Sequence, residues 1–352
     1  MHPAPPASLA CDVARLISSG VTSRVYPGAA WAAGDDHDIH LAGAAGLPDP
    51  AQPRQPVTEA TVFDMASLTK ILAVWAAAGT LWDKGRLRLD DTLAELIPHR
   101  TSGYPLGQVT VRQLLTHTAG LPLRAALRAM YGTDPAAIRD GVLHENLHRP
   151  PGQAVEYTDR AALILGYLIE ELTSTPLAAY ARRHVWAPLG MTSTQFAPLT
   201  PATARICAPT EYDEQAGKHL KGVPHDFSAR LLGGACGIAG VFSVLADTIT
   251  FTRHMLSPAD SAAFSNAWVT ESLQPQTGTL GPARGLFWHP AHGTSPDEGI
   301  YAHYGFTGTA MWISAPQRRW AVLLTNKLYY SRDRDPINTI RDQFRQLIFI
   351  PR

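Results

Sequence analysis

Cysteine is scarce in this chain of 352 residues, with three at Cys11, Cys207 and Cys236. Their odd number and wide spacing exclude a disulfide framework and a clustered thiolate metal site, and predict buried or free thiols. Charge of one sign is also missing. Thirty basic residues meet thirty acidic ones, so composition gives no reason to expect nucleic acid or an anionic membrane as partner. The apolar run Ile71 to Ala78 is too short for a membrane span. Met1 to Ala10 has no basic stretch followed by an apolar one, so no signal peptide is expected and the cytoplasm is the expected location. No internal repeat or low-complexity segment stands out. At this length a single core has usually stopped growing, and two subdomains are expected.

What is present begins with Ser67-Leu68-Thr69-Lys70 at the head of that apolar run. A serine and a lysine three apart share one face of a helical turn, which sets an amine beside a hydroxyl. This is one way to build an activated nucleophile. Ile71, Leu72, Ala73, Val74, Trp75, Ala76, Ala77 and Ala78 make the helix apolar nearly all round, and such a helix is buried. Lys70 is then a buried lysine, a rare state unless the amine is paired or functional. The bland alternative is a helix-capping serine with a lysine that reaches solvent.

The coarse order of elements follows from periodicity and punctuation. Leu9 to Ile17 reads as a helix, and Ala29–Ala33 and Asp38–Ala42 as a hairpin around Gly34-Asp35-Asp36. The lysine-bearing helix ends near Lys84-Gly85. Thr110-Val111-Arg112-Gln113 has the form of a capping box. Asp159 to Leu172 is an apolar helix, and Thr175-Pro176 opens another. From Thr92 to about Trp186 the chain reads as mostly helical. Leu286–Trp288, Tyr301–Gly305, Ala310–Ser314 and Trp320–Leu324 read as strands, the last two flanking a turn at Pro316-Gln317. Asp335-Pro336 starts a final helix with Ile337, Ile340, Phe344 and Leu347 on one stripe. Pro275 to Glu298, rich in proline and glycine, reads as a surface loop. The expected fold is α/β (α+β): an antiparallel sheet made from both chain ends (1–66 and 226–352), flanked by N- and C-terminal helices. An all-helical subdomain (67–225) is inserted, with the active site in the cleft between them.

Two fragments join Ser67 and Lys70. Tyr157-Thr158-Asp159 follows Pro151-Gly152, and His303-Tyr304-Gly305 precedes Phe306-Thr307-Gly308. In this order the three resemble the S-x-x-K, Y-x-N and K-T-G or H-x-G elements of the serine β-lactamase and penicillin-binding-protein superfamily. Leu114 to Pro122 (LLTHTAGLP) resembles that family's LLTHTSGLP segment, and Pro188-Leu189-Gly190-Met191 its PLGM turn. His225-Asp226, Leu232-Gly233-Gly234 and Ala239-Gly240-Val241-Phe242-Ser243 resemble a VHD…LGG…AGLFS stretch of one branch. That branch is similar to class C β-lactamases and holds D,D-peptidase-like, esterase and muropeptide-amidase members. The likeness runs from about Thr61 to Asn326.

The resemblance implies a β-lactamase/transpeptidase-like fold and no cofactor or metal. It implies an acyl-enzyme on Ser67, formed from a small-molecule or short-peptide substrate of ester or amide type. Lys70 and Tyr157 complete the catalytic group, and either one is a candidate base. For Lys70 to serve, burial must pull its pKa down by several units. The Ser67 and Phe306 N–H groups form the implied oxyanion hole. Asp159, His303, Tyr304 and Gly305 are the implied substrate-binding residues, glycine letting substrate approach the backbone.

Three departures bear on the substrate. Asp159 stands where lactam-binding members carry asparagine. An ionised aspartate only accepts hydrogen bonds and favours a charged Lys70, which argues against penicillin hydrolysis; alternatively Asp159 caps the helix that follows. His303 replaces the usual lysine, as in the peptidase and esterase branch. Ile238 stands where that branch often has histidine.

Other readings remain open. An acyltransferase would use the same acyl-serine. His144-Glu145-Asn146-Leu147-His148 matches H-E-x-x-H, the pattern of a zinc peptidase, with Glu170 or Glu171 as a conceivable third ligand; Arg149-Pro150-Pro151 ends any helix there. A non-catalytic binding protein on the same fold would tolerate loss of Ser67. His117 is expected to tie a loop, His225-Asp226 to form a structural pair, and His289 and His292 to be solvated.

Overall fold

The computed structural model describes residues 7–124, 126–257 and 263–350. Of the Met1–Ala10 stretch, residues 1–6 lie outside the described residues. The main sheet has six antiparallel strands. Their spatial order is Ile39–Gly46, Gly28–Gly34, Arg319–Thr325, Ala310–Ser314, Tyr301–Tyr304 and His289–Pro290. The first hairpin of the chain is thus joined to its last strands, with Ala29 opposite Thr325 and Gly34 opposite Trp320.

Strand alternation sorts the two faces of this sheet. Ala30, Ala32, Met311, Ile313, Val322 and Leu324 face the large core shared with the helices of the chain's middle. Ala29, Trp31, Ala33, Ala310, Trp312, Ala321 and Leu323 face a second core. That core is closed by the helix Ala7–Thr22 and the final helix Asp335–Phe349, which pack against each other. Ile337, Ile340 and Phe344 of the expected stripe are buried there, and Leu347 is partly so. The small alanines of Gly28–Gly34 suit a strand buried along its whole length between two layers.

Between Thr92 and Trp186 the chain is largely short helices. Thr110 and Gln113 form the expected capping box. The helix Asp159–Thr173 is almost wholly buried over its first three turns. The serine-bearing segment is a composite. Ala66–Leu68 is a 3₁₀ turn, Lys70–Trp75 a π-helix and Ala76–Asp83 an α-helix. π segments occur often at functional sites.

Two expectations fail in the same place. Leu286–Trp288 is buried but forms no strand; Phe287 adopts a left-handed φ of 61° and the short strand falls at His289–Pro290. The apolar run is consumed by a turn, in which Gly285 N–H donates to the Trp288 carbonyl. Pro275 to Glu298 is therefore more than a surface loop, because its middle is core and its flanks line the cleft.

Cys207 and Cys236 are buried free thiols and Cys11 is an exposed one. Burial raises both buried thiols to about 12, which makes them inert. Among the described residues no helix is long and apolar enough to cross a membrane.

Candidate active site

The 3₁₀ turn sets Ser67 at the edge of a cavity of about 810 Å³. Its entry is held by Asp64, which is buried and accepts from Ala66 N–H at 2.9 Å. The same carboxylate accepts from the His225 N–H at 2.8 Å and lies 2.9 Å from His225 Nδ1. Ala66 itself sits at φ 49°, uncommon for a residue with a Cβ. The left-handed step stands immediately before the serine, whose hydroxyl lies between Tyr157 and Lys70.

Ser67 Oγ is 3.1 Å from Lys70 Nζ and 3.1 Å from Tyr157 Oη. Lys70 is fully buried, and its ammonium donates to the Ile238 carbonyl at 2.9 Å and pairs with Asp159 at 2.8 Å. The contact at position 238 is through the backbone, so isoleucine serves there without a polar side chain. Burial alone would push the Lys70 pKa down. The Asp159 carboxylate and Tyr157 outweigh it, and the net shift is upward. Burial therefore does not free Lys70 of its proton, because the Asp159 carboxylate beside it favours the ammonium form. Asp159 does not cap its helix, a task done by Thr158, whose hydroxyl accepts from Arg160 N–H.

His303 is buried on the Tyr301–Tyr304 strand, with Nδ1 2.7 Å from the Phe287 carbonyl. Nδ1 thus carries the proton, and Nε2 is a buried acceptor without a partner in the chain. Burial and the neighbouring His289 hold His303 well below the usual histidine range. His117 ties the tyrosine loop as expected: its ring accepts from Thr158 N–H at 3.4 Å and lies 4.5 Å from the Tyr157 ring. His289 is not solvated. It lines the cavity, and burial with Arg284 pushes its pKa down to about 4. His292 is exposed and pairs with Asp342. His225 and Asp226 do not pair with each other; Asp226 caps the helix Phe227–Leu231 through Ala229 N–H.

Phe306 follows the strand, and its N–H has no acceptor among the described residues. Thr307 and Thr309 hydroxyls donate to the carbonyls of Asp64 and Met65, locking this loop to the turn that carries Ser67. Gly305 explains itself in the same contact, and differently from expectation. A Cβ there would lie 2.0 Å from Thr309 Oγ1 and 2.8 Å from the Met65 carbonyl. The close approach is between two pieces of the protein. Gly305→Ala is accordingly expected to displace the loop and cost about 10²-fold in kcat on an activated ester. Steady-state kinetics beside a melting curve check this, and activity within threefold of wild type would refute it. Tyr304 lines the cavity with its ring covered by Arg341, whose Cζ is 4.9 Å from the centroid.

The H-E-x-x-H match is a structural coincidence. The helix Pro135–Leu143 ends before it, so His144 and His148 do not share a helical face. Glu145 is buried and paired with Arg160 at 2.6 Å, and His144 stacks on Tyr104. Glu170 and Glu171 pair with Arg139 and Arg100. Among the described residues no group of His, Cys, Asp and Glu is arranged to hold a metal ion.

Several cavity residues escaped the sequence reading. Asp64 carries no motif of its own. Arg284 sits in the segment dismissed as surface, with Cζ 6.0 Å from the Tyr157 ring centroid. Lys327, Arg332, Arg334 and Arg341 line the far wall. Their only sequence signal is the density of basic residues after Asn326.

A mixed antiparallel α/β fold with serine, lysine and tyrosine converging on one hydroxyl defines a serine hydrolase of the β-lactamase and penicillin-binding-protein type. The profile of the family described as Beta-lactamase matches residues 13–345, and the chain belongs to that family. A protein of Escherichia coli (strain K12) named "Putative D-alanyl-D-alanine carboxypeptidase" is 28% identical over 337 residues, covering 85% of this chain and 74% of that protein. Among solved structures, "EstCE1, a hydrolase with promiscuous acyltransferase activity" superposes with a TM-score of 0.78 at 20% identity, covering 97% of this chain and 98% of that one. "D-alanine Carboxypeptidase AmpC from Burkholderia cenocepacia" gives 0.76 at 20% identity, with 98% and 99% covered. At these identities the superpositions establish the shared fold.

Proposed function

We propose that the protein cleaves a small ester or amide through an acyl-Ser67 intermediate, with D-amino-acid peptides, muropeptide fragments and simple esters as the substrate class. The observation that carries this reading is the 3.1 Å approach of both Lys70 Nζ and Tyr157 Oη to Ser67 Oγ. Because the Asp159 carboxylate favours a charged Lys70, Tyr157 is assigned as the acylation base, with the ammonium stabilising negative charge that develops on its oxygen. The Ser67 Oγ–H proton passes to Tyr157 as the Oγ–C bond forms. Tyr157 then returns it to the leaving oxygen or nitrogen as the scissile bond breaks. The Ser67 and Phe306 N–H groups receive the charge on the carbonyl oxygen. Asp159 spends one oxygen on Lys70; the other accepts from an N–H or O–H donor on the substrate.

Intact-protein mass after brief exposure to p-nitrophenyl acetate tests this. Wild type and Glu145→Gln are expected to gain an acetyl group or turn over steadily, and Ser67→Ala to do neither. An adduct that persists in Ser67→Ala, or turnover lost on Glu145→Gln in folded protein, would defeat the reading. Acyl transfer is the second reading, supported by the promiscuous acyltransferase activity named for EstCE1. It is separated from hydrolysis by whether an added alcohol captures the acetyl group in place of water.

A further inference from the structure

Six arginines and lysines line the cavity against four aspartates and glutamates, in a chain whose charges otherwise balance. The excess is concentrated around Phe306. Lys327 Nζ, Arg332 Cζ and Arg334 Cζ lie 4.9, 4.9 and 4.7 Å from its ring centroid. One aromatic ring thus carries three cations, an arrangement that mutual repulsion opposes.

One nearby acid reaches the group, and the others are committed elsewhere. Glu211 pairs with Arg332, Asp342 with His292, and Asp159 with Lys70. Asp226 caps a helix, and Asp333 accepts from Asp335 N–H. Among the described residues Lys327, Arg334 and Arg341 have no carboxylate within ion-pair distance. Lys327 and Arg341 are nonetheless buried at the base of the group, while Arg332 and Arg334 are exposed at its rim. Lys327 spends two of its three donors on the carbonyls of Ser331 and Asp333. Arg341 donates to the carbonyls of Gly305 and Thr309, and its Nε is buried without a partner. Burial and the cations Arg341, Arg334 and Arg332 push the Lys327 amine down to about 8, with Asp333 opposing. Lys327, Arg334 and Arg341, two of them desolvated and none paired with a carboxylate among the described residues, form with the Glu211-paired Arg332 a preorganised site for an anion of more than one charge.

We propose that Lys327, Arg332 and Arg334, ringed on Phe306 above Arg341, bind a phosphate monoester carried by the substrate beside its reacting carbonyl. This rests on the hydrolase reading for the word substrate, since Phe306 also offers the oxyanion N–H. A phosphate monoester brings nearly two charges and three acceptor oxygens near neutral pH. A single carboxylate would leave at least one buried cation uncompensated. Guanidinium forks at the rim suit adjacent phosphate oxygens.

The test is equilibrium binding to the Ser67→Ala protein, which needs no turnover, so its failure is distinct from failure of the acylation experiment. Calorimetry would compare phenyl phosphate with benzoate, at low and raised salt. Phenyl phosphate is expected to bind at least about tenfold tighter than benzoate and to weaken as salt rises. Arg334→Gln, an exposed change, is expected to weaken phenyl phosphate by about tenfold, with Arg334→Lys recovering much of the loss. Equal affinity for benzoate and phenyl phosphate would overturn the proposal, as would phenyl phosphate binding that Arg334→Gln leaves unmoved.

Discussion

Lys70→Met is expected to lower kcat/KM on an activated ester by about 10³-fold while the protein still folds. The loss has two sources. The methionine fills the channel with similar volume but removes the cation that stabilises negative charge on Tyr157. It also frees Asp159, whose carboxylate sits 2.8 Å from Nζ in the native protein, to repel that same charge. Asp159 is partly exposed, with 32% of its side chain in contact with solvent, so water can accept it once the amine is gone. The fold should therefore tolerate the exchange far better than the chemistry does. Presteady-state release of p-nitrophenol would locate the defect: the burst itself should slow, since the proposed mechanism assigns Tyr157 as base to acylation. A normal burst followed by slow turnover would instead place Lys70 in deacylation.

Glu145→Ala is expected to have the opposite profile, with a loss of stability of about 3–5 kcal/mol. Arg160 is wholly buried and its guanidinium rests on both Glu145 oxygens, at 2.7 and 2.6 Å. Tyr131 Oη donates to the same carboxylate at 2.5 Å. Removing the acid strands a guanidinium inside the helical region, and the orphaned charge is the cost. Glu145→Gln keeps one acceptor and should recover a large part of the loss. Urea unfolding of the three proteins checks this through the midpoint at constant slope. An alanine variant that unfolds with the wild type would mean that Arg160 finds another partner or reaches water.

The two residues show how much of the site was legible in the chain. Ser67, Lys70 and Tyr157 could be read because each stands in a short pattern with a fixed spacing, and the structure brings all three to one hydroxyl. The direction of the Lys70 shift could not be read from burial alone, because the outcome depends on a carboxylate 89 positions away in sequence. The oddity of Asp159 in the tyrosine motif was the one available signal, and it pointed correctly toward a charged amine. Glu145 misled for the same reason that motifs in general mislead. Five residues matched a metal pattern, but the partner that decides the role of Glu145 is Arg160, on the helix Asp159–Thr173. In the fold, alternating strands and capped helices were recoverable from local sequence. The Leu286–Trp288 run was not, since its apolar residues are buried by a left-handed turn that only the packing against Leu115 and His303 requires. The basic wall around Phe306 was invisible because charge balance over the whole chain hides where the charges gather.

The sheet that joins the first hairpin to the final strands has a consequence for how the protein is made. Ser67 leaves the ribosome with Lys70 three residues behind it. The loop carrying Phe306, the strand carrying His303 and the Arg319–Thr325 partner of Gly28–Gly34 all follow it much later in the chain. Pairings between such distant segments form late and slowly. A chain that stops before that loop therefore carries the serine without the proposed Phe306 oxyanion donor. Under the proposed acyl-Ser67 mechanism, acylation therefore waits until that loop docks beside the turn that carries the serine.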